Sequence, residues 1–281
     1  MIVTVDAGKL GYERDSEEFR VNTARLAQFA AALDDTNPTH RSGKMAGPVF
    51  HHIPVMQSMV EVLTAATRAF ALHGEHDFHF YRPIEPRQRL FSRSQLIGVG
   101  ATRAGTTLTI RSDIRTHDDQ LVSTQYSTCL VTTAKSAASV GATGPERPTP
   151  PRDGDPITVR HEMTADQTHR YADAARDYSP YCLEKPAAAR LGFEAPIAHG
   201  MCTIGIASRA IVDRVLQGDT SRLLRLGCRF SAPVLMVPGQ ALTTRLWVAP
   251  DAADGKRLVA FETLEMDGKP AIRNGFAEVR S

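Results

Sequence analysis

A segment that occurs twice constrains this chain more than any other feature. The first copy holds Asp35, Asn37, Pro38 and His40, followed by Gly47, Pro48, His51 and His52. The second holds Asp177, Ser179, Pro180 and Cys182, followed by Ala195, Pro196, His199 and Gly200. Each copy closes a stretch with helical spacing. Each is followed by an apolar, helix-like run and then by strand-like segments. A repeated unit of this size implies two similar folded halves, and the differences between the copies imply that the halves do different jobs.

The chain has 281 residues, enough for one large domain or two medium ones. Residues 135–156 are rich in Ser, Ala, Gly and Pro and lack apolar periodicity, so they read as a linker. This gives an N-terminal domain over 1–134 and a C-terminal domain over 157–281. In the first, the spacing predicts helices over 23–33, capped by Thr23, and over 54–72. Strands are expected over 76–80, 91–99, 106–115 and 120–133. The second repeats that order. Helices are expected over 164–176, capped by Thr164, and 198–216, then strands over 225–232, 241–249, 256–266 and 272–280. Asp254-Gly255 and Asp267-Gly268 are hairpin turns. One long helix and an antiparallel meander, twice over, suggest a sheet wrapped around a helix in each half. Pairing two such halves would cover an exposed sheet edge.

Bulk properties exclude several classes. The formal net charge is +2 and the basic residues are scattered, which argues against a nucleic-acid or membrane partner. No apolar run approaches the roughly 18 residues of a membrane-spanning helix. The first residues read as a strand and not as a signal peptide. Cys129, Cys182, Cys202 and Cys228 form no CxxC pair, so a reducing cytoplasm is the expected compartment. His51, His52, His73, His76 and His79 match no zinc spacing, and no metal is expected.

An acid and a histidine five residues apart, on a turn fixed by proline, suit general acid–base work on a water molecule. Gly200 opens an apolar helix, where a backbone N–H can stabilise a developing enolate oxygen. These parts suit adding water to, or removing it from, a double bond conjugated to a thioester. A structural turn and a structural His-Gly pair are the plainer readings of either element alone. Finding both, in the same order, twice, favours chemistry.

The stretch from Tyr171 to Asp177 and on through Gly192 to Thr203 resembles the hydratase motif of MaoC-like (R)-specific enoyl-CoA hydratases and dehydratases. Arg229 to Leu235 and His76 to Ile84 resemble strands of that family, and the layout resembles its double-hotdog members. The resemblance implies an α+β double hotdog: two antiparallel sheets, each wrapped around a long central helix, packed as a pseudo-dimer. It implies an acyl thioester of coenzyme A or acyl carrier protein as substrate, and a lyase needing no metal or redox cofactor. In the family the aspartate and histidine activate water, and the glycine supplies an oxyanion N–H.

Carried over residue by residue, the first half keeps Asp35, Asn37 and His40 but has His52 at the glycine position. The second keeps Asp177 and Gly200 but has Cys182 at the histidine position and Ser179 at the asparagine position. The catalytic candidates are therefore Asp35, His40, Asp177 and Gly200. Asn37, His52, Tyr181, Cys182 and His199 are candidates for substrate binding, with a packing role favoured for Cys182. The expected function is hydration of a 2-enoyl thioester or dehydration of a 3-hydroxyacyl thioester. The alternative is a repurposed relative that binds an acyl or polyketide-like ligand without hydrating it, as a cyclase or non-catalytic subunit. Two hotdog units in one chain leave a monomer or a homodimer as plausible assemblies.

Overall fold

The computed structural model describes residues 5–134 and 138–281. The strand-like start at 1–4 and the first three residues of the 135–156 stretch lie outside the described residues. In chain order the elements are β1 (Glu13–Asp15), β2 (Phe19–Arg20), α1 (Thr23–Ala32), α2 (Pro38–Arg41), α3 (Met56–Ala66), β3 (Leu72–Phe80), β4 (Arg89–Thr102), β5 (Gly105–Thr116), β6 (Leu121–Val131) and β7 (Val140–Gly141). They continue with β8 (Ile157–Glu162), α4 (Gln167–Ala175), α5 (Pro180–Leu183), α6 (Lys185–Ala189), α7 (Gly200–Arg214), β9 (Leu223–Phe230), β10 (Ala241–Val248), β11 (Lys256–Leu264) and β12 (Pro270–Arg280). Two 3-10 segments, Pro48–Val55 and Thr220–Arg222, precede α3 and β9.

These elements form two compact units. One comprises residues up to Arg20 with His51–Arg82 and Arg87–Pro148; the other comprises Val21–Phe50, Pro83–Pro86 and Thr149–Ser281. The segment carrying Asp35 and His40 thus belongs with the second half of the sequence.

In the first unit the strands run β1-β4-β5-β6-β3, all antiparallel, and the short β2 and β7 also pair with β4. Successive residues of β4 alternate between exposed and buried from Arg89 to Ser94, as a strand with one covered face must. Met59, Val62 and Ala66 of α3 pack on Leu96, Leu108 and Ile110 of the sheet. Beside this apolar contact runs a buried polar ladder, in which Ser58 of α3 bonds Ser92 and Ser94, and Ser94 bonds Ser112. Each hydroxyl satisfies the next, so the polar groups are buried without an orphan.

In the second unit the order is β9-β12-β11-β10-β8, again antiparallel. Helix α7 lies against β8, β9, β10 and β12. It is buried at every position from Met201 to Ser208, consistent with an apolar helix enclosed by its sheet. The β11–β12 hairpin turns at Asp267 and Gly268, where Gly268 takes φ +83°, a conformation glycine adopts without steric cost. Helix α1 packs on α4, with the Phe29 ring 5.8 Å from Tyr171 and 5.3 Å from Phe50.

The sequence-derived elements are present with shifted ends. Asn22, not Thr23, caps α1, its side chain accepting from the Arg25 amide at 2.8 Å. The expected 54–72 helix shortens to Met56–Ala66, because Pro54 lies in a 3-10 segment and Thr67 is extended. Thr164 caps no helix; its hydroxyl bonds Asp166, which precedes α4. Strand β8, which the spacing did not mark, forms the outer edge of the second sheet, and β7 lies inside the 135–156 stretch.

Candidate active site

The end of α1 determines where Asp35 sits. A helix leaves its last carbonyls without internal partners. Here α4 and α7 supply donors: Gln167 Nε2 to the Ala32 carbonyl, Arg170 Nη1 to that of Ala31, and Arg209 Nη1 to that of Leu33. Two of the three donors are cationic, which also favours the negative end of the helix dipole. Asp34 then turns the chain in the left-handed region at φ +49°, and the Asp35 amide closes the turn on the Ala30 carbonyl at 2.9 Å.

Asp35 next organises the following turn. Its Oδ1 accepts from the Asn37 amide at 2.9 Å. The Asn37 side chain caps α2, accepting from the Thr39 amide at 2.9 Å and the His40 amide at 3.4 Å. Pro38 occupies the first helical position, where its missing N–H costs nothing. The result brings His40 back over Asp35, with Nδ1 and Oδ2 2.8 Å apart. His40 is 1% exposed and Asp35 7%. A Cβ at Gly47 would lie 3.5 Å from His40 Nδ1 and 3.6 Å from Asp35 Oδ2, so the chain passes beside the pair without a side chain.

Two groups from the loop after α7 complete this arrangement. His40 Nε2 lies 2.8 Å from Thr220 Oγ1, and Asn37 Nδ2 donates to the Gly218 carbonyl at 2.8 Å. Sequence reasoning missed both, because they lie 180 and 181 positions from their partners. The one local signal was Gly218-Asp219 after an apolar helix, a turn pattern that says nothing of a histidine. Asp213, near the end of α7, is also close: partial desolvation and then the Asp35 charge raise its carboxyl above the usual range.

The other candidates cluster at the opposite end of α7. Asp177 follows α4, and its Oδ1 accepts from the Ser179 hydroxyl at 2.6 Å. His199 immediately precedes α7, with Nε2 3.0 Å from the Asp177 carbonyl and 3.9 Å from Asp177 Oδ2. His199 Nδ1 is buried with no hydrogen-bond partner. Burial holds His199 below the usual histidine range, opposed by Asp177. The Tyr171 ring lies beside it, tilted by 41°, with ring centroids 5.0 Å apart. Gly200 occupies the first position of α7, where backbone N–H groups have no intrahelical acceptor. Cys182 is 2% exposed, and burial pushes its thiol far up, reinforced by Asp177 and Cys202. Such burial favours the neutral thiol and a packing role. Tyr181 is half-buried, and its carbonyl accepts from the Ile197 amide.

The four catalytic candidates therefore form two pairs and not one site. Gly200 and Asp213 lie thirteen residues apart on α7, about 20 Å at 1.5 Å per residue. Asp35 and His40 are at one end, Asp177 and Gly200 at the other.

His52, in the first unit, belongs to neither pair. Its ring lies 5.2 Å from His76 and 6.1 Å from His73, and His73 Nε2 is 3.1 Å from His76 Nδ1. Among the described residues no group of His, Cys, Asp or Glu is arranged to hold a metal ion. Nor is any helix among them long and apolar enough to cross a membrane.

Residues 143–266, which enclose Asp177, Cys182, His199 and Gly200, match the MaoC like domain. The second half of the chain carries a MaoC like domain. The whole chain is similar to enoyl-CoA hydratase 2, peroxisomal, of Arabidopsis thaliana, at 23% identity over 95% of this chain and 90% of that protein. It is 25% identical over 75% of its length to peroxisomal multifunctional enzyme type 2 of Mus musculus, of which the match spans 28%. A crystal structure of a MaoC-like dehydratase from Phytophthora Capsici superposes with a TM-score of 0.83 at 22% identity, covering 99% of this chain and 98% of that one. The fold is the double hotdog. Within the MaoC-like domain itself the acid–histidine pair is incomplete, since Cys182 stands five residues after Asp177. The complete pair lies outside the matched residues, on 35–40, yet folds into the same unit.

Proposed function

We propose that this chain is a hydro-lyase acting on acyl thioesters of coenzyme A or acyl carrier protein, interconverting 2-enoyl and 3-hydroxyacyl forms. The observation that carries this reading is the buried Asp35–His40 pair at 2.8 Å. A carboxylate only accepts hydrogen bonds, so His40 holds its proton on Nδ1 and presents a basic Nε2. In hydration, Nε2 takes a proton from water as the water oxygen bonds C3 of the enoyl group. The C2–C3 π electrons move onto the thioester as an enolate. The imidazolium then returns the proton to C2, so one water is added and His40 is regenerated. Asp35 holds the ring in register and offsets its transient positive charge. Dehydration is the same path reversed. The curated relatives named as enoyl-CoA hydratases support the substrate class. The test is mass analysis of a 2-enoyl-CoA and a 2-enoyl acyl-carrier-protein thioester after incubation. Gain of one water on either supports the reading; recovery of both unchanged, or release of the free acid, contradicts it.

A second reading has its own observation. The Asp177 end of α7 offers an orphaned, buried His199 Nδ1 beside the N–H groups of a helix start, but no histidine at 182. Such a site is suited to hold a thioester carbonyl or another acceptor without activating water. It would make the MaoC-like domain a binding half in a chain whose chemistry occurs at Asp35 and His40. It would also account for a protein that binds an acyl ligand without hydrating it. Saturable binding of a saturated acyl-CoA that survives His40→Ala but is lost in His199→Ala would support it.

A further inference from the structure

We infer that Thr220 is a positioning residue for His40, and that the second half of the sequence thereby completes the acid–base group of the first. The inference rests on the reading of Asp35 and His40 as the acid–base pair.

With Asp35 ionised and the ring neutral, the contacts of His40 select one tautomer. Nδ1 faces a carboxylate at 2.8 Å and must donate to it. The neutral ring then has its lone pair on Nε2, and the atom facing that lone pair at 2.8 Å is the Thr220 hydroxyl, which donates. With the imidazole 1% exposed, an unpaired Nε2 would carry the cost of a buried, unsatisfied acceptor. The hydroxyl removes that cost and fixes which nitrogen is basic.

A hydroxyl also suits the other half of the cycle. Once Nε2 has taken a proton from water it becomes a donor, and Thr220 Oγ1 can accept by rotating its own hydrogen. Thr220 thus serves both protonation states of His40 without moving its backbone. Its side chain is only partly buried, so the hydroxyl can rotate off Nε2 and leave the single lone pair of that nitrogen to an incoming water.

The backbone around Thr220 is held on both sides. Asp219 Oδ1 accepts from the Ser221 amide at 3.0 Å and the Ser221 hydroxyl at 2.6 Å. The Gly218 carbonyl accepts from Asn37 Nδ2 at 2.8 Å. The loop is therefore tied to the α2 turn at Gly218 and at Thr220.

The test compares Thr220→Val, Thr220→Ser and His40→Ala with the parent enzyme on a 2-enoyl-CoA, with the His40 ring nitrogens followed by NMR in histidine-labelled protein. Thr220→Val is expected to lower kcat at least ~10-fold, part of the roughly 10²–10⁴-fold that a positioned general base supplies, with KM within about 3-fold. Thr220→Ser should restore kcat to within about 3-fold. The Nε2 resonance should shift in Thr220→Val and return in Thr220→Ser. An unshifted Nε2 resonance in a folded Thr220→Val protein would overturn the inference, whatever the substrate. So would a Thr220→Val enzyme with normal kcat when His40→Ala is inactive. An active His40→Ala enzyme would instead overturn the reading on which the inference rests.

Discussion

Arg170 on α4 grips Asp34 with both guanidinium nitrogens, Nη1 to Oδ1 at 2.8 Å and Nη2 to Oδ2 at 3.2 Å. The same Nη1 donates to the Ala31 carbonyl at 2.8 Å. One side chain of the second half thereby fixes both the end of α1 and the residue next to Asp35. Arg170→Ala should cost about 1 kcal/mol of stability, since the pair is partly solvent-exposed. It should lower turnover more than that loss alone explains, because Asp35 loses its register. Arg170→Lys should recover little, as an ammonium lacks the planar fork. Thermal unfolding and kcat measured on the same preparations check this.

The carboxylate charge of Asp35 can be removed with little change of shape. Asp35→Asn should reduce turnover by ~10²-fold or more, while the unfolding midpoint stays close to the parent's. An asparagine that presents its amide to Nδ1 would also drive His40 into the wrong tautomer. A variant that keeps full turnover would show that the pair is structural.

At Gly205, α7 packs directly on the Leu33 side chain at the end of α1. A Cβ there would lie 2.8 Å from a terminal carbon of the buried Leu33 side chain. Gly205→Ala should destabilise by about 1–3 kcal/mol, as overpacking in a filled core does. Urea titration measures this directly. Gly205→Ala paired with Leu33→Ala should recover part of the loss, which a plain glycine-to-alanine helix effect would not.

The histidines of the first unit give stability a pH dependence of definite sign. Burial pushes His51 and His73 down to about 3, and holds His76 well below the usual histidine range. They stay neutral in the folded chain, whereas the unfolded chain takes up protons below about 6.5. The unfolded state then binds more protons, so stability falls as pH drops from about 6.5 toward 3. Urea midpoints at pH 7.5 and pH 5 should show the drop. His73→Gln should make it shallower, whereas an unchanged slope would mean that other groups set it.

The repeat made two sheet-and-helix units legible, though not that residues 21–50 group with the second, and helical or alternating spacing located the principal helices and most strands. Strand β8 escaped because its six residues have a half-buried, charged pattern with no apolar run. The ends of α1, α3 and α4 shifted because the Asn22 side chain caps α1, Thr67 turns extended and Asp166 precedes α4 without a side-chain cap, none of which apolar spacing reveals. Asp35, Asn37 and His40 were legible since one turn holds all three. Thr220, Gly218 and Arg170 were not, because their roles exist only once residues 21–50 fold onto the second half. The separation of Gly200 from His40 was equally invisible, being set by the length of α7.

The most direct measurement follows the enoyl-thioester absorbance band of crotonyl-CoA with the parent protein, His40→Ala and Asp177→Ala. The expected result is loss of the band with the parent protein and with Asp177→Ala, and no loss with His40→Ala. Loss that survives His40→Ala but requires Asp177 would contradict the assignment and place the chemistry at the other end of α7.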